Sequence, residues 1–359
     1  MKRIIFLLSV LLLSVSTFAQ ETESERPLFG YKLQDYMSKP KFGAYIVGFY
    51  KYSDLKGAHS GQGLGVRYIR AYVDGSILND FKYRIQFEIN GSPHVKDFYL
   101  EWARFKEFSV KIGEFKRAFT FENPYNPWDV GVGDYSQAVK KLAGMGDRCG
   151  ESSMGGRDLG IQFQGDFLPV GNDQHRLFHY QIGLYNGNGI NRTDNNSRKD
   201  IMGTIQIQPI KDLYLGAFVW NGNWSDGTVT VDRKRYAFGA KYEHNNWSAR
   251  TEYVHSKGYK ASSIDHETGE LIPGCNDRGK ADAFYATVGV PVVDWFKVFV
   301  KYDNYRDNAN SASRSTIYSI APQIRLHKNL MFQFEYRYND NKMTGKKYNE
   351  FWFEYYVRF

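Results

Sequence analysis

Arg70, Lys82, Arg84 and Lys111 stand in stretches where polar and apolar residues alternate, in company with Asp74, Glu88 and Glu101. In one such stretch Lys82, Arg84, Gln86, Glu88 and Asn90 oppose Phe81, Tyr83, Ile85, Phe87 and Ile89. A strand sends successive side chains to opposite faces, so the charges share one face and the oily groups the other. A basic row of this kind can recognise oxyanions: the arginine fork bonds two oxygens, and lysine offers a movable point charge. Lys116, Arg117 and Arg157 flank the base of a long segment, 118–156, and Lys140, Lys141 and Arg148 lie within it. The same residues admit a purely structural reading, in which Arg70 and Arg84 pair with Asp74, Glu88 or Glu101 and stiffen a sheet. Both readings stay open at this stage.

Other chemistry is poorly served. The eight histidines are scattered, and no pair has zinc-ligand spacing with Cys or carboxylates nearby. Gly61-Gln62-Gly63 with Gly65 lacks the βαβ setting of a dinucleotide loop. Nothing marks a nucleophile with its base, so no enzyme, metal or cofactor is expected.

The elements that position the charges are strands. The last nine residues, FWFEYYVRF, place Phe351, Phe353, Tyr355, Val357 and Phe359 on one face and Trp352, Glu354, Tyr356 and Arg358 on the other. Sixteen segments alternate in this way, roughly 41–52, 63–76, 81–91, 94–105, 107–117, 157–168, 175–187, 200–210, 212–223, 233–243, 246–257, 280–290, 295–306, 313–326, 329–339 and 348–359. Most match the roughly 9–11 residues that a tilted strand needs to cross a bilayer. A Lys or Arg facing lipid at the midplane costs about 2–4 kcal/mol, so the charged rows must face a polar lumen. Connections after even-numbered strands are short, and most of those after odd-numbered strands are long, with the one near Ser92-Pro93 an exception. That alternation is the pattern of outer-membrane barrels. The fold expected is all-β, a 16-stranded antiparallel transmembrane β-barrel with a long inward-folding third external loop over 118–156, including a short helix in 134–142.

Composition agrees. Mean hydropathy is -0.53, which a barrel tolerates because only alternate residues meet lipid. The 27 Tyr, 26 Phe and 7 Trp, 17% of the chain, suit aromatic girdles at two interfaces. Residues 1–19 read as a signal peptide, with Lys2 and Arg3, an apolar run over Ile4–Val15, and Thr17-Phe18-Ala19 before Gln20. No Cys follows that site, which argues against a lipid anchor. Residues 20–40 read as an N-terminal periplasmic segment and 41–359 as the barrel. Without Lys2 and Arg3 the chain holds 45 Lys and Arg against 39 Asp and Glu, a net of +6 that by itself decides nothing. Cys149 and Cys275 fall in loops, and whether they meet is open.

Gly113-Glu114-Phe115-Lys116-Arg117, Glu122-Asn123-Pro124, Arg157-Asp158-Leu159-Gly160-Ile161-Gln162 and Leu184-Tyr185-Asn186-Gly187, with the aromatic C-terminus, resemble the phosphate-selective porin O and P family. The Phe18-Ala19-Gln20 context resembles secreted proteins of Bacteroidetes. The resemblance implies a homotrimeric 16-stranded channel in the outer membrane of a Gram-negative bacterium. It also implies basic side chains on the lumen wall and inward loop, and phosphate or polyphosphate as the solute. Lipid and lipopolysaccharide are the partners implied by that setting, and nucleic acid is not one. Glu88, Glu101 and Asp97 share the lumen face with the basic residues, a departure from strict phosphate selectivity. The expectation is passive diffusion of small anions past Arg70, Lys82, Arg84, Lys111, Lys116, Arg117, Lys140, Lys141, Arg148 and Arg157. The alternatives are a general or differently selective porin, and a non-conducting surface scaffold or adhesin with 258–279 as its partner surface.

Overall fold

A computed structural model describes residues 37–57, 62–151 and 155–359, without the side chains of 276 and 277. The expected signal peptide and all but the end of the segment 20–40 lie outside these residues. Eight strands come first: β1 (Lys41–Ser53), β2 (Gly63–Ile77), β3 (Phe81–Glu88), β4 (His94–Trp102), β5 (Ser109–Lys116), β6 (Arg157–Val170), β7 (His175–Tyr185) and β8 (Asp200–Ile210). Eight follow: β9 (Leu213–Ser225), β10 (Thr230–His244), β11 (Trp247–Lys257), β12 (Lys280–Val293), β13 (Phe296–Arg306), β14 (Arg314–His327), β15 (Leu330–Asn341) and β16 (Lys346–Arg358). Each pairs antiparallel with its neighbour in sequence, and β1 pairs with β16, from Tyr45 opposite Arg358 to Ser53 opposite Glu350. The sheet is a closed barrel, which removes every free edge.

All sixteen expected strands are present, with ends that differ by at most three residues. β3 stops at Glu88 because Gly91, at φ 72°, and Pro93 turn the chain. β4 and β5 fall short of the reading because residues 103–108 bond other segments instead: Ala103 N donates to Asp80 O of the turn after β2, and Lys106 O accepts from Asp166 N of β6. At Asn245-Asn246 both residues take positive φ, 46° and 67°, the geometry of a two-residue hairpin that follows strand twist. The short turns cluster at one end, which is the periplasmic end of such barrels, and the third loop leaves from the other.

The alternation sorts faces as expected. Ile182, Ile205, Val219, Phe238, Val300 and Phe334 point outward and are exposed, while Gln86, Glu88, Gln333, Glu335 and Glu354 are buried on the inside. The apolar core is in the lumen and comes from the third loop. Phe119, Phe121, Val130, Val132, Val139 and Leu142 pack on Met202, Phe218, Trp220, Tyr285 and Phe299 of the wall. Trp128 forms a second cluster with Tyr45, Val47, Met331 and Tyr356. Full burial of side chains this size stabilises by about 1.5–3 kcal/mol each. The loop therefore folds inward, and helix α1 (Gln137–Leu142) forms within the stretch expected to be helical. It starts after Ser136, whose Oγ accepts from Val139 N at 3.2 Å, which leaves Asp134 and Tyr135 non-helical. Cys149 and Cys275 are both buried and unbridged.

Candidate pore constriction and its charge lining

The described residues of the third loop are held by wall side chains at several points. At its root Arg117, with no exposed side-chain surface, lies 2.8 Å from both Glu151 and Asp158. Arg233 of β10 bonds the same Glu151 and reaches Asp200 at 2.6 Å. The faces of Trp220 carry Arg117, Arg233 and Arg235, at 5.1, 4.4 and 4.7 Å. Farther on, Glu252 accepts from the backbone N–H groups of Phe121 and Glu122, and Arg250 donates to Val130 O at 2.6 Å. Glu335 accepts from Gly133 N at 2.7 Å. A Cβ at Gly133 would lie 2.5 Å from Glu354 and 2.7 Å from Glu335, so glycine lets the loop approach these carboxylates. Asp303 accepts from Gln137 N at the start of α1, at 2.9 Å. On the way back, Arg235 forks onto Asp147, and Arg148 donates to the carbonyls of Gly258, Arg278 and Asp307. Burial alone would raise the Asp147 carboxyl, yet the Arg235 guanidinium holds it well below the usual carboxylate range.

The loop stands away from the wall formed by β2 to β7, and a cavity of about 250 Å³ opens there. Arg70, Arg84, Lys111, Lys116, Arg117 and Arg157 line it, with Asp97 the one carboxylate among the lining residues. Gln86, Gln162, Gln164 and Gln181 complete its polar wall. The cations have partners. Arg70 lies 2.7 Å from Glu88, Arg84 2.6 Å from Asp74, Lys111 3.3 Å from Glu101 and Arg157 2.8 Å from Asp97. Three of these pairs face each other directly across the ladder: Arg70 with Glu88, Arg84 with Asp74, and Lys111 with Glu101. Lys116 bonds neutral oxygens, the carbonyls of Asn123 and Tyr125 at 2.7 and 2.6 Å. The wall-stiffening pairs and the cavity-lining row thus coexist in the same side chains.

Six of the ten expected site residues meet in this cavity. Lys82 is exposed nearer the short-turn end, and Lys141 is exposed on α1. Arg148 is enclosed where three outer segments meet. Lys140 bonds Asp134 and lines another cavity, about 270 Å³, on the side of the loop nearer the long-loop end. That cavity is charge-balanced. Lys51 pairs with Glu350 at 2.8 Å, Arg337 with Glu335 at 2.7 Å, Lys301 with Asp303 at 3.7 Å, and Lys140 with Asp134, and all eight line it. A wider cavity of about 850 Å³ at the short-turn end holds Lys241, Lys297 and Arg325 opposite Asp129, Glu243 and Asp294. It shares Pro124, Tyr125, Asn126 and Gln181 with the basic cavity, so the two adjoin.

Strict alternation misses two inward-facing cations. Between β1 and β2 the register runs from Val47 opposite Tyr68 to Gly48 opposite Val66, which leaves Arg67 as an extra residue. Between β3 and β4, Lys96 is extra in the same way. A bulge shifts the phase of its strand. A run of two polar or charged residues inside an alternating stretch, Lys96-Asp97, is the signal that could have located the second.

Residues 44–143 match the family model for phosphate-selective porin O and P, and residues 178–344 match that for Gram-negative porins. The chain belongs to the outer-membrane porins. Solved structures share the fold. The anion-selective porin from Comamonas acidovorans is 14% identical at a TM-score of 0.66, over 90% of this chain and 100% of its own. The trimer form of OmpT, an outer membrane protein of Vibrio cholerae, is 16% identical at 0.60, over 90% and 100%. The outer membrane channel DcaP of Acinetobacter baumannii is 12% identical at 0.63, over 92% and 99%. Comparison with curated proteins returns no match. The porin therefore lies in the outer membrane of a Gram-negative bacterium, and its family matches are to channels rather than to enzymes.

Proposed function

We propose that this porin conducts small solutes passively with a preference for anions, phosphate and polyphosphate among them. The observation that carries the reading is the cavity beside the third loop, lined by six cations and one carboxylate. Charge of one sign on a narrow path raises the local concentration of the opposite ion. The pairing suits transport. A cation that already has a carboxylate partner binds a passing anion moderately, and a series of moderate sites passes an ion that one tight site would trap. The family match over 44–143 is described as phosphate-selective, and one structural neighbour is an anion-selective porin. Assembly as a homotrimer fits the trimer form of the Vibrio neighbour. Export after cleavage before Gln20, and lipid and lipopolysaccharide around the barrel, complete the proposal.

The ion pairs favour one second reading, a general diffusion porin in which Glu88, Asp74, Glu101 and Asp97 cancel the basic wall. Planar-bilayer reversal potential in a KCl gradient separates the two. Anion-selective current that added phosphate reduces, and that Arg84→Glu weakens, supports the proposal. Nonselective or cation-preferring current leaves the general porin.

A further inference from the structure

The edge of the third loop that faces the first strands is tied to them by an arginine that the strand pattern alone would send to lipid. Leu64 and Val66 of β2 point outward, 85% and 41% exposed, and Tyr68 and Arg70 point inward. Arg67 lies at the phase change, the extra residue where β2 slips against Val47 and Gly48. The bulge turns it into the lumen, where its side chain is 17% exposed. Bulges re-aim side chains in this way beside functional sites. One guanidinium nitrogen lies 2.7 Å from Asp134 Oδ1 of the loop and the other 3.1 Å from Glu354 Oε1 of β16. The same group lies over the rings of Tyr68 and Trp352, at 5.2 and 5.8 Å, which fixes its orientation. Asp134 adjoins Gly133, whose N–H bonds Glu335. Arg67 thus spans from wall to loop between the basic cavity, which begins at Arg70, and the balanced cavity that contains Asp134.

We propose that Arg67 is a positioning residue that sets the width of the passage, holding the loop edge at a fixed distance from the β1–β2 wall. It acts on conductance through the loop and only secondarily through its own charge. The inference rests on the chain being a conducting porin and does not require anion preference.

Arg67→Gln and Asp134→Asn separate the two roles, because they cut the same tether while changing charge in opposite directions. Each is expected to raise single-channel conductance and current noise, and the double variant to add little beyond the larger single effect, since both remove the shared Arg67–Asp134 contact. Reversal potential should move toward cations in Arg67→Gln and toward anions in Asp134→Asn. Arg67→Lys keeps a cation for Asp134 and should hold conductance at the wild-type value. If the reversal potentials part while conductance stays at the wild-type value in both, Arg67 is a lining charge and the proposal is wrong. No change in either quantity also overturns it. Heat-resistant migration on gels checks that each barrel is folded. If Arg67→Gln does not assemble, Asp134→Asn, which alters the loop alone, still decides the conductance question. Failure of the anion reading would appear separately, as wild-type current preferring cations.

Discussion

The two cavities flanking the third loop use the same ion-pair chemistry and present different fields. On the β2–β7 side, Arg70, Arg84 and Lys111 are among the lining residues while their partners Glu88, Asp74 and Glu101, on adjacent strands, are not. On the other side, Lys51 and Glu350, Arg337 and Glu335, Lys301 and Asp303, Lys140 and Asp134 all line the cavity, so each charge meets its opposite in view of a solute. Counting charges would call both sides nearly neutral. Where the carboxylate stands relative to its cation decides the sign a solute meets, so selectivity should reside on one side of the loop.

The comparison holds only while the loop divides the lumen, and its root is the place to break it. Arg233→Ala leaves Asp200 and Glu151, each about 1% exposed, short of their shared cation. Removing one partner of a buried ionic network costs about 3–5 kcal/mol, the largest effect expected here. A lower urea midpoint, with larger and noisier currents from what remains folded, is the expected outcome. An unchanged midpoint would mean that the loop needs no ionic root. Next in size, Arg84→Glu with Lys111→Glu should invert the sign of the reversal potential. Lys51→Glu with Lys140→Glu, an equal change of charge on the other side, should shift it less. Equal shifts from the two double variants would dissolve the distinction between the cavities.

The barrel was legible because lipid imposes a strict rule. A face that meets hydrocarbon excludes charge, and alternation such as Leu330 to Tyr338 follows at once. The loop's inward fold was legible from its length and from its place as the third of its kind; strand phase put Arg70, Arg84 and Lys111 on the lumen side, and Lys116, Arg117 and Arg157 were read only as flanking the base of the loop. What the pattern missed has one physical origin. Phase arguments assume an unbroken period of two, and the bulges at Arg67 and Lys96 break it, turning both inward where counting from Arg70 and from Asp97 would turn both out. Neither could pairing within a wall be told from exposure to a solute. Arg70 and Glu88 sit opposite each other in both readings, and only the position of the loop makes Arg70 a lining residue of the cavity.

Smaller effects sharpen the same comparison. Asp74→Asn or Glu101→Gln removes the carboxylate partner of a lining cation and should move the reversal potential further toward anions, by less than the double reversals. Glu350→Gln, beside Lys51, offers the matched test on the balanced side and should move it in the same direction by a smaller amount. The difference in conductance between wild type and Asp134→Asn should change least of all between about pH 7 and about pH 5. Burial would raise the carboxyl of Asp134, but Lys140 and Arg67 beside it hold it well below the usual carboxylate range, and Arg235 does the same for Asp147. A carboxyl depressed in the folded state stabilises at every pH above its unfolded value of about 3.9. That contribution is lost only as pH falls through the lower folded value. Mild acid therefore leaves Asp134 and Asp147 charged and the Arg67 tether intact. If conductance rises steeply across that range in wild type but stays flat in Asp134→Asn, the tether is titrating where its surroundings should keep it ionised. The edge between the two cavities would then be set by protons rather than fixed by the fold.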